Sequence, residues 1–305
     1  MKHLLSIESL DTTDLQQVLS LSARMKKLRG ARNAPQPLKG QTWAMIFSKS
    51  STRTRVSFEV GIDELGGNGV FLNANDIQLG RGETVEDTAR VLCRYVHGIV
   101  IRTYGQKDVE TLADIGKIPV INALTDDEHP CQILSDLFTI QEKLGAIEGK
   151  RVVFLGDGDC NVARSWIFAA ARLGFELRIA APQKFQPSAA LLKRARKMSV
   201  AEGNIECYTD VFEAARGSDV LYTDVWVSMG KEAESQERLK LLAPYQLKLE
   251  LLNVANRGAL VMHCLPAYRD KEITSEVFDA HAETIFDQAE NRLHVQKAII
   301  SLAAS

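Results

Sequence analysis

Ser51-Thr52-Arg53-Thr54-Arg55 combines hydroxyls with two guanidinium groups, three residues after an apolar run from Thr42 to Phe47. Beyond it, Val56 to Leu65 has helical spacing, so the stretch reads as strand, polar turn and helix. The first backbone N–H groups of a helix lack intrahelical partners and carry the positive end of its dipole, which makes such a turn a ready anion site. Ser51 and Thr52 are also explained as helix caps. Two arginines in a first turn are not, because they face the unfavourable end of the dipole, and a bound, multiply charged anion removes that conflict. Glu59 gives Arg55 a partner four residues on and a partly structural role. No glycine lies between Phe47 and Val60, so this is not a glycine-rich nucleotide loop. The expected ligand is phosphate or a small phosphorylated substrate, held by side chains as well as backbone.

Other candidates also follow apolar runs. Arg102 closes the run Gly98 to Ile101, and with His129 and Thr54 it can donate to an oxygen that gains charge during reaction. One such donor is worth about 3 kcal/mol of transition-state stabilisation. His129, before a proline, could equally shape a turn; Gln132, three residues on at a helix start, would point the same way. Gly156-Asp157-Gly158-Asp159-Cys160-Asn161 follows a strand and opens a helix, as a dinucleotide fingerprint does. Asn161 replaces the third glycine, however, and two aspartates would repel a pyrophosphate, so a nicotinamide dehydrogenase ranks low. Asp224, after the strand Val220 to Thr223, suits an ammonium group. The following Ser228-Met229-Gly230 fits either a mobile lid or a capping loop. Cys264 offers a thiol at another strand end, with a buried, inert cysteine as the bland alternative.

The elements that must position these residues alternate: apolar runs of strand length, each followed by a helical pattern, from Thr42 to Leu144 and again from Arg151 onward. That alternation predicts parallel sheets and an α/β fold of two doubly wound domains, with ligands in an interdomain cleft beyond the carboxyl ends of the strands. The expected domains are residues 1–145 with the C-terminal segment 288–305, and residues 146–287. The final helix, Glu290 to Leu302, is expected to pack back on the first domain. A 305-residue chain with a net charge of -2 and 45% apolar residues fits a soluble globular protein and gives no reason to expect nucleic-acid or membrane binding. No long uncharged apolar run is present, so the expected location is cytoplasmic. Five widely spaced cysteines without a Cys-x-x-Cys pair argue against a disulfide framework or structural zinc, and no metal or organic cofactor is called for.

Four motifs in order, Ser-Thr-Arg-Thr-Arg at 51 to 55, His-Pro-Cys-Gln at 129 to 132, Asp-Val-Trp-Val-Ser-Met-Gly at 224 to 230 and His-Cys-Leu-Pro at 263 to 266, resemble those of the aspartate/ornithine carbamoyltransferases. The resemblance covers nearly the whole chain, and Ser-Met-Gly after Asp-Val-Trp marks the ornithine branch. It implies transfer of the carbamoyl group of carbamoyl phosphate to the δ-amine of ornithine. Ser51, Thr52, Arg53 and Thr54 would hold the phosphate, with Gln78 reaching a neighbouring subunit's site in a homotrimer or a multiple of trimers. Arg102, His129 and Gln132 would polarise the carbamoyl group, and Cys264, Leu265 and Arg292 would complete that pocket. Arg102, His129 and Cys264 are the catalytic candidates. Asn161, Asp224, Ser228 and Met229 would bind ornithine. The family usually has two asparagines where this chain has Cys160-Asn161.

Overall fold

The structure, a computed structural model, describes residues 1–74, 76–78, 82–201, 203–227 and 235–305. The chain divides into two compact units, Met1–Phe138 with Glu290–Ser305, and Thr139–Ala289. The division falls inside a helix, α5 below.

In unit 1 the strands are β1 (Thr42–Phe47), β2 (Asn68–Asn73), β3 (Gly98–Arg102) and β4 (Val120–Leu124), and the sheet order is β2-β1-β3-β4 with every pair parallel. The helices are α1 (Thr12–Lys27), α2 (Thr52–Glu64), α3 (Val85–Leu92), α4 (Gln106–Gly116) and α5 (Pro130–Leu144). β3 and β4 are buried at every position. A parallel strand covered on both faces has no solvent side, which is why these segments are continuous apolar runs rather than alternations. Ala44, Ile46, Ile99, Ile101 and Val120 pack there against Val109 and Leu112 of α4. The register sets Phe47 beside Arg102 and Arg102 beside Leu124. The β1–α2 turn, Arg102 and the β4–α5 turn therefore emerge along one sheet edge.

In unit 2, β5 (Arg151–Leu155), β6 (Glu176–Ala180), β7 (Ile205–Tyr208), β8 (Val220–Thr223) and β9 (Leu260–His263) form a parallel sheet in the order β7-β6-β5-β8-β9. Its helices are α6 (Asn161–Leu173), α7 (Ala189–Met198), α8 (Val211–Ala215), α9 (Ser235–Leu242), α10 (Leu249–Leu252) and α11 (Ser275–Ala280). Trp166 of α6 stands edge-on to Phe175 and Tyr222, with ring centroids 5.9 and 5.4 Å away. Leu155 lies beside Thr223 and Thr223 beside His263. The β5–α6 loop, Asp224 and Cys264 thus share the carboxyl edge of this sheet.

The last helix, α12, runs Ala282–Ala303 and starts well before the expected Glu290. Its first turns serve unit 2, where Ile285 joins the core and Phe286 stands against Phe278. The polar residues Glu283, Asp287 and Gln288 between them conceal that apolar face from a periodicity reading.

Candidate active site

Ser51 caps α2, its hydroxyl oxygen accepting from Thr54 N at 3.2 Å, which leaves its O–H to donate. Thr54 is fully buried, and its own hydroxyl accepts from Arg292 Nη2 at 2.8 Å, tying α2 to α12. Thr52 is exposed and Arg53 half-buried. Arg55 lies apart from this group: it stacks on Phe71, 3.7 Å from the ring centroid, and pairs with Glu59 at 3.4 Å. Arg102 is buried, and its Nε has no hydrogen-bond partner among the described residues. Burial, then the neighbouring charges of Arg292 and Arg53, bring its pKa down to about 10. Guanidinium groups that repel one another in a buried setting are stabilised by an anion.

His129 is held by the turn before it. Thr125 N donates to Glu128 O at 2.9 Å, Glu128 N donates back to Thr125 Oγ1 at 3.1 Å, and the buried Glu128 carboxylate accepts from Ile7 N at 2.8 Å. Burial first, then Arg292 and Arg102, push the His129 pKa well below its ordinary value, so the ring is a neutral hydrogen-bonding group at neutral pH. Gln132, on the first turn of α5, donates to Asp136 at 2.8 Å, while its buried Oε1 has no partner among the described residues. Gln78 is exposed, with its backbone carbonyl accepting from Glu83 N at 3.1 Å.

In unit 2, Cys264 donates its S–H to Asp224 Oδ1 at 2.7 Å, and Val225 N donates to the same oxygen at 2.7 Å. Burial raises the Asp224 pKa, partly opposed by the Cys264 hydrogen bond. Leu265 has φ +58°, a left-handed conformation that costs a non-glycine residue about 1–3 kcal/mol unless its surroundings impose it. Asn161 is the first residue of α6, where Cys160 is the cap and its sulfur accepts from Ala163 N at 3.5 Å. Cys160 is buried, and its thiol is pushed well up by burial and by Asp157 and Asp224, so it is an inert, structural thiol. Ser228 and Met229 lie outside the described residues. Among the described residues, no group of three His, Cys, Asp or Glu side chains is placed to hold a metal ion.

Residues 2–142 match the family model for the carbamoyl-P binding domain of aspartate/ornithine carbamoyltransferase, and residues 148–303 match the model for its Asp/Orn binding domain. The chain belongs to the aspartate/ornithine carbamoyltransferase family. Its relatives include the ornithine carbamoyltransferase of Akkermansia muciniphila, 54% identical over 100% of this chain and 98% of that one. That of Syntrophus aciditrophicus is 51% identical over 99% of each chain. Among solved structures, ornithine carbamoyltransferase from Pyrococcus furiosus superposes with a TM-score of 0.92 at 45% identity, covering 99% of this chain and 96% of that one. Anabolic ornithine carbamoyltransferase from Campylobacter jejuni gives 0.92 at 40% identity, covering 99% of each.

In this carbamoyltransferase chain several residues that shape the candidate site escaped the sequence reading. Lys49 is buried, bonds to Asp126 and lies 4.3 Å from the Tyr104 ring centroid, fastening the β1–α2 turn to the β4–α5 turn. Asp157 accepts from Arg238, whose Nε also donates to Trp226 O at 2.7 Å. One buried guanidinium thereby joins the β5–α6 loop to the segment after Asp224. Gly158 belongs to the same arrangement, since a Cβ there would stand 2.6 Å from Ile179 and 3.0 Å from Phe185 O. The Gly-Asp-Gly-Asp run is thus explained by packing and an ion pair. A lysine two residues before the capping serine, just past a strand end, was a readable signal; Arg238, in an ordinary amphipathic helix, left none.

Proposed function

We propose that this chain transfers the carbamoyl group of carbamoyl phosphate to the δ-amine of L-ornithine, forming L-citrulline and phosphate. The observation that carries the reading is the buried Arg102, whose Nε has no partner among the described residues and which lies beside the charges of Arg53 and Arg292; Gln132 Oε1, on the first turn of α5, is a second buried atom without a partner there. A carbamoyl group needs a donor for its oxygen and an acceptor for its amide, and the phosphate attached to it needs the neighbouring cations.

In this reading residues 1–145 with 288–305 bind carbamoyl phosphate and residues 146–287 bind ornithine. Ser51, Thr52, Arg53 and Thr54 hold the phosphate, with Gln78 serving the site of a neighbouring subunit. Arg102, His129 and Gln132 grip the carbamoyl group, and Cys264, Leu265 and Arg292 complete its pocket. Asn161 takes the carboxylate end of ornithine; Asp224, Ser228 and Met229 take its amino end. The uncharged δ-amine attacks the carbonyl carbon, a C–N bond forms, and the oxyanion is met by Arg102, His129 and Thr54. Collapse breaks the C–O bond to phosphate, and the amine proton leaves with it. Cys264 already directs its proton at Asp224, so a phosphate oxygen is the better proton acceptor. The sites call for neither a metal nor an organic cofactor.

The working form is a homotrimer or a multiple of trimers in the cytoplasm, acting in arginine biosynthesis. Exposed Val56 and Val60 on α2 and Val70 on the edge strand β2 support a subunit contact. The anabolic role named for the Campylobacter jejuni structure supports the direction. No helix among the described residues is long and apolar enough to cross a membrane. The test is citrulline formation by the purified chain from carbamoyl phosphate and ornithine, with putrescine, aspartate and N-acetylornithine alongside. Turnover confined to ornithine is the expected result, and product with another acceptor alone would redraw the Asn161 and Asp224 assignments.

A further inference from the structure

His263 and Glu272 form a buried pair that the chemistry above does not use. Their side chains are 0% and 1% exposed, and His263 Nε2 lies 3.1 Å from Glu272 Oε1. The other ring nitrogen, Nδ1, accepts the backbone N–H of Leu265 at 2.9 Å. A ring nitrogen that accepts an N–H carries no proton, so the proton sits on Nε2 and is donated to Glu272. Glu272 Oε1 also accepts Tyr268 N, and its backbone oxygen accepts Leu247 N at 2.8 Å. His263 N donates to Gln288 Oε1 of α12 at 2.9 Å. The imidazole is therefore fixed at the ring by Glu272 and at the backbone by Gln288, and its remaining valence is spent on Leu265.

In a hydrolase, a carboxylate–imidazole pair ends on a nucleophile. Here it ends on the N–H of a residue held at φ +58°, directly after the thiol that donates to Asp224. We propose that His263, oriented by Glu272, is a positioning residue: it holds the Cys264-Leu265 backbone turn in its left-handed form and so keeps the Cys264 thiol on Asp224. This inference rests on the placement of Cys264 and Leu265 in the carbamoyl pocket. A histidine that merely filled the core would tolerate any neutral replacement of similar size equally well.

Two such replacements separate the ring nitrogens. Asparagine offers an acceptor oxygen in place of Nδ1, whereas glutamine offers its amide in place of Nε2 and leaves the Leu265 N–H unpaired. The experiment compares wild type, His263→Gln and His263→Asn by citrulline kinetics, by inhibition with inorganic phosphate, and by the rate at which iodoacetamide alkylates Cys264, read on its peptide by mass spectrometry. For His263→Gln the expected kcat falls by about tenfold or more, while the inhibition constant of phosphate, whose site lies in unit 1, stays within about twofold. Alkylation of Cys264 quickens about fivefold as the thiol leaves its anionic neighbour. His263→Asn restores both readouts to within about threefold of wild type. Equal behaviour of the two variants in either readout, or a parallel shift of the phosphate constant, overturns the proposal.

If His263→Gln yields no folded protein, His263→Leu, which keeps the bulk but offers Leu265 N no acceptor, takes its place beside His263→Asn. A kcat at least about tenfold lower for His263→Leu than for His263→Asn supports the inference, and equal kcat values overturn it. A wild-type chain that forms no citrulline defeats the substrate reading alone, and the alkylation rates then judge the positioning role separately.

Discussion

The carboxyl edge of the unit 1 sheet gathers Arg53, Arg102 and Arg292, whereas the corresponding edge of the unit 2 sheet presents Asp224 with the thiol of Cys264 bonded to it. In unit 1 these like charges lie close enough to lower the Arg102 pKa, and a bound anion would relieve that repulsion. Among the described residues of unit 2, Asp157 is instead paired with Arg238 and Glu272 accepts from His263 inside the protein. Removing a charge should therefore act mainly on turnover in the first unit and mainly on stability in the second.

The largest effect expected is on unit 2. Asp157→Ala removes the carboxylate from the Arg238 guanidinium, 3% exposed, and breaking a buried pair in this way costs about 3–5 kcal/mol. Urea unfolding of the variant should show that loss, and an unchanged midpoint would break the contrast between the units. Next comes Arg102→Ala, which should lower kcat by about 10²–10³-fold, the range for one oxyanion donor, while the unfolding midpoint of the ligand-free protein holds or rises as repulsion is relieved. A fall in stability comparable to that of Asp157→Ala would show that Arg102 is structural. Arg53→Ala should weaken carbamoyl phosphate by about 1.5–3 kcal/mol, the worth of a charged hydrogen bond, read as a raised KM with ornithine saturation unaffected. Unchanged kinetics would remove Arg53 from the phosphate site.

The smallest effect concerns pH. The folded-state pKa of His129 is lowered, so the unfolded chain binds the extra proton first as pH falls. Its stabilising contribution is complete above the ordinary histidine range near 6.5 and is lost as pH drops from there toward the folded value, at up to about 1.4 kcal/mol per pH unit. His3, His281 and His294 are also lowered, chiefly by burial, so the measurement is the difference between wild type and His129→Gln across pH 7.5 to 5. Identical slopes would mean that His129 is not held neutral.

How far the candidate site could be read in the sequence depends on how each residue stands against local rules. Arg53, Arg102, His129 and Gln132 were legible because each sits beside a strand end and violates a local rule: a cation at a helix start, a charge closing an apolar run, polar groups around a proline. Asp224 and Cys264 were legible by the same logic. Arg55 satisfied the same local test as Arg53, yet it stacks on Phe71 and pairs with Glu59, because the direction of a side chain around the helix is not encoded in its type. Cys160 looked like a departure at the ornithine loop; it caps α6 through its sulfur.

What the sequence determined by itself was the alternation of apolar strands and helices, and hence parallel sheets whose carboxyl edges collect the polar turns. Local periodicity encodes this directly, because each strand and helix must bury its own apolar face. What only the tertiary structure decided was which distant side chains meet: Arg292 with Thr54, Lys49 with Asp126, Arg238 with Asp157, His263 with Leu265 and Glu272. Most of these contacts join elements remote in the chain, where register and packing rather than local propensity fix the geometry, and a buried charge can be told from a solvated one only once its surroundings exist.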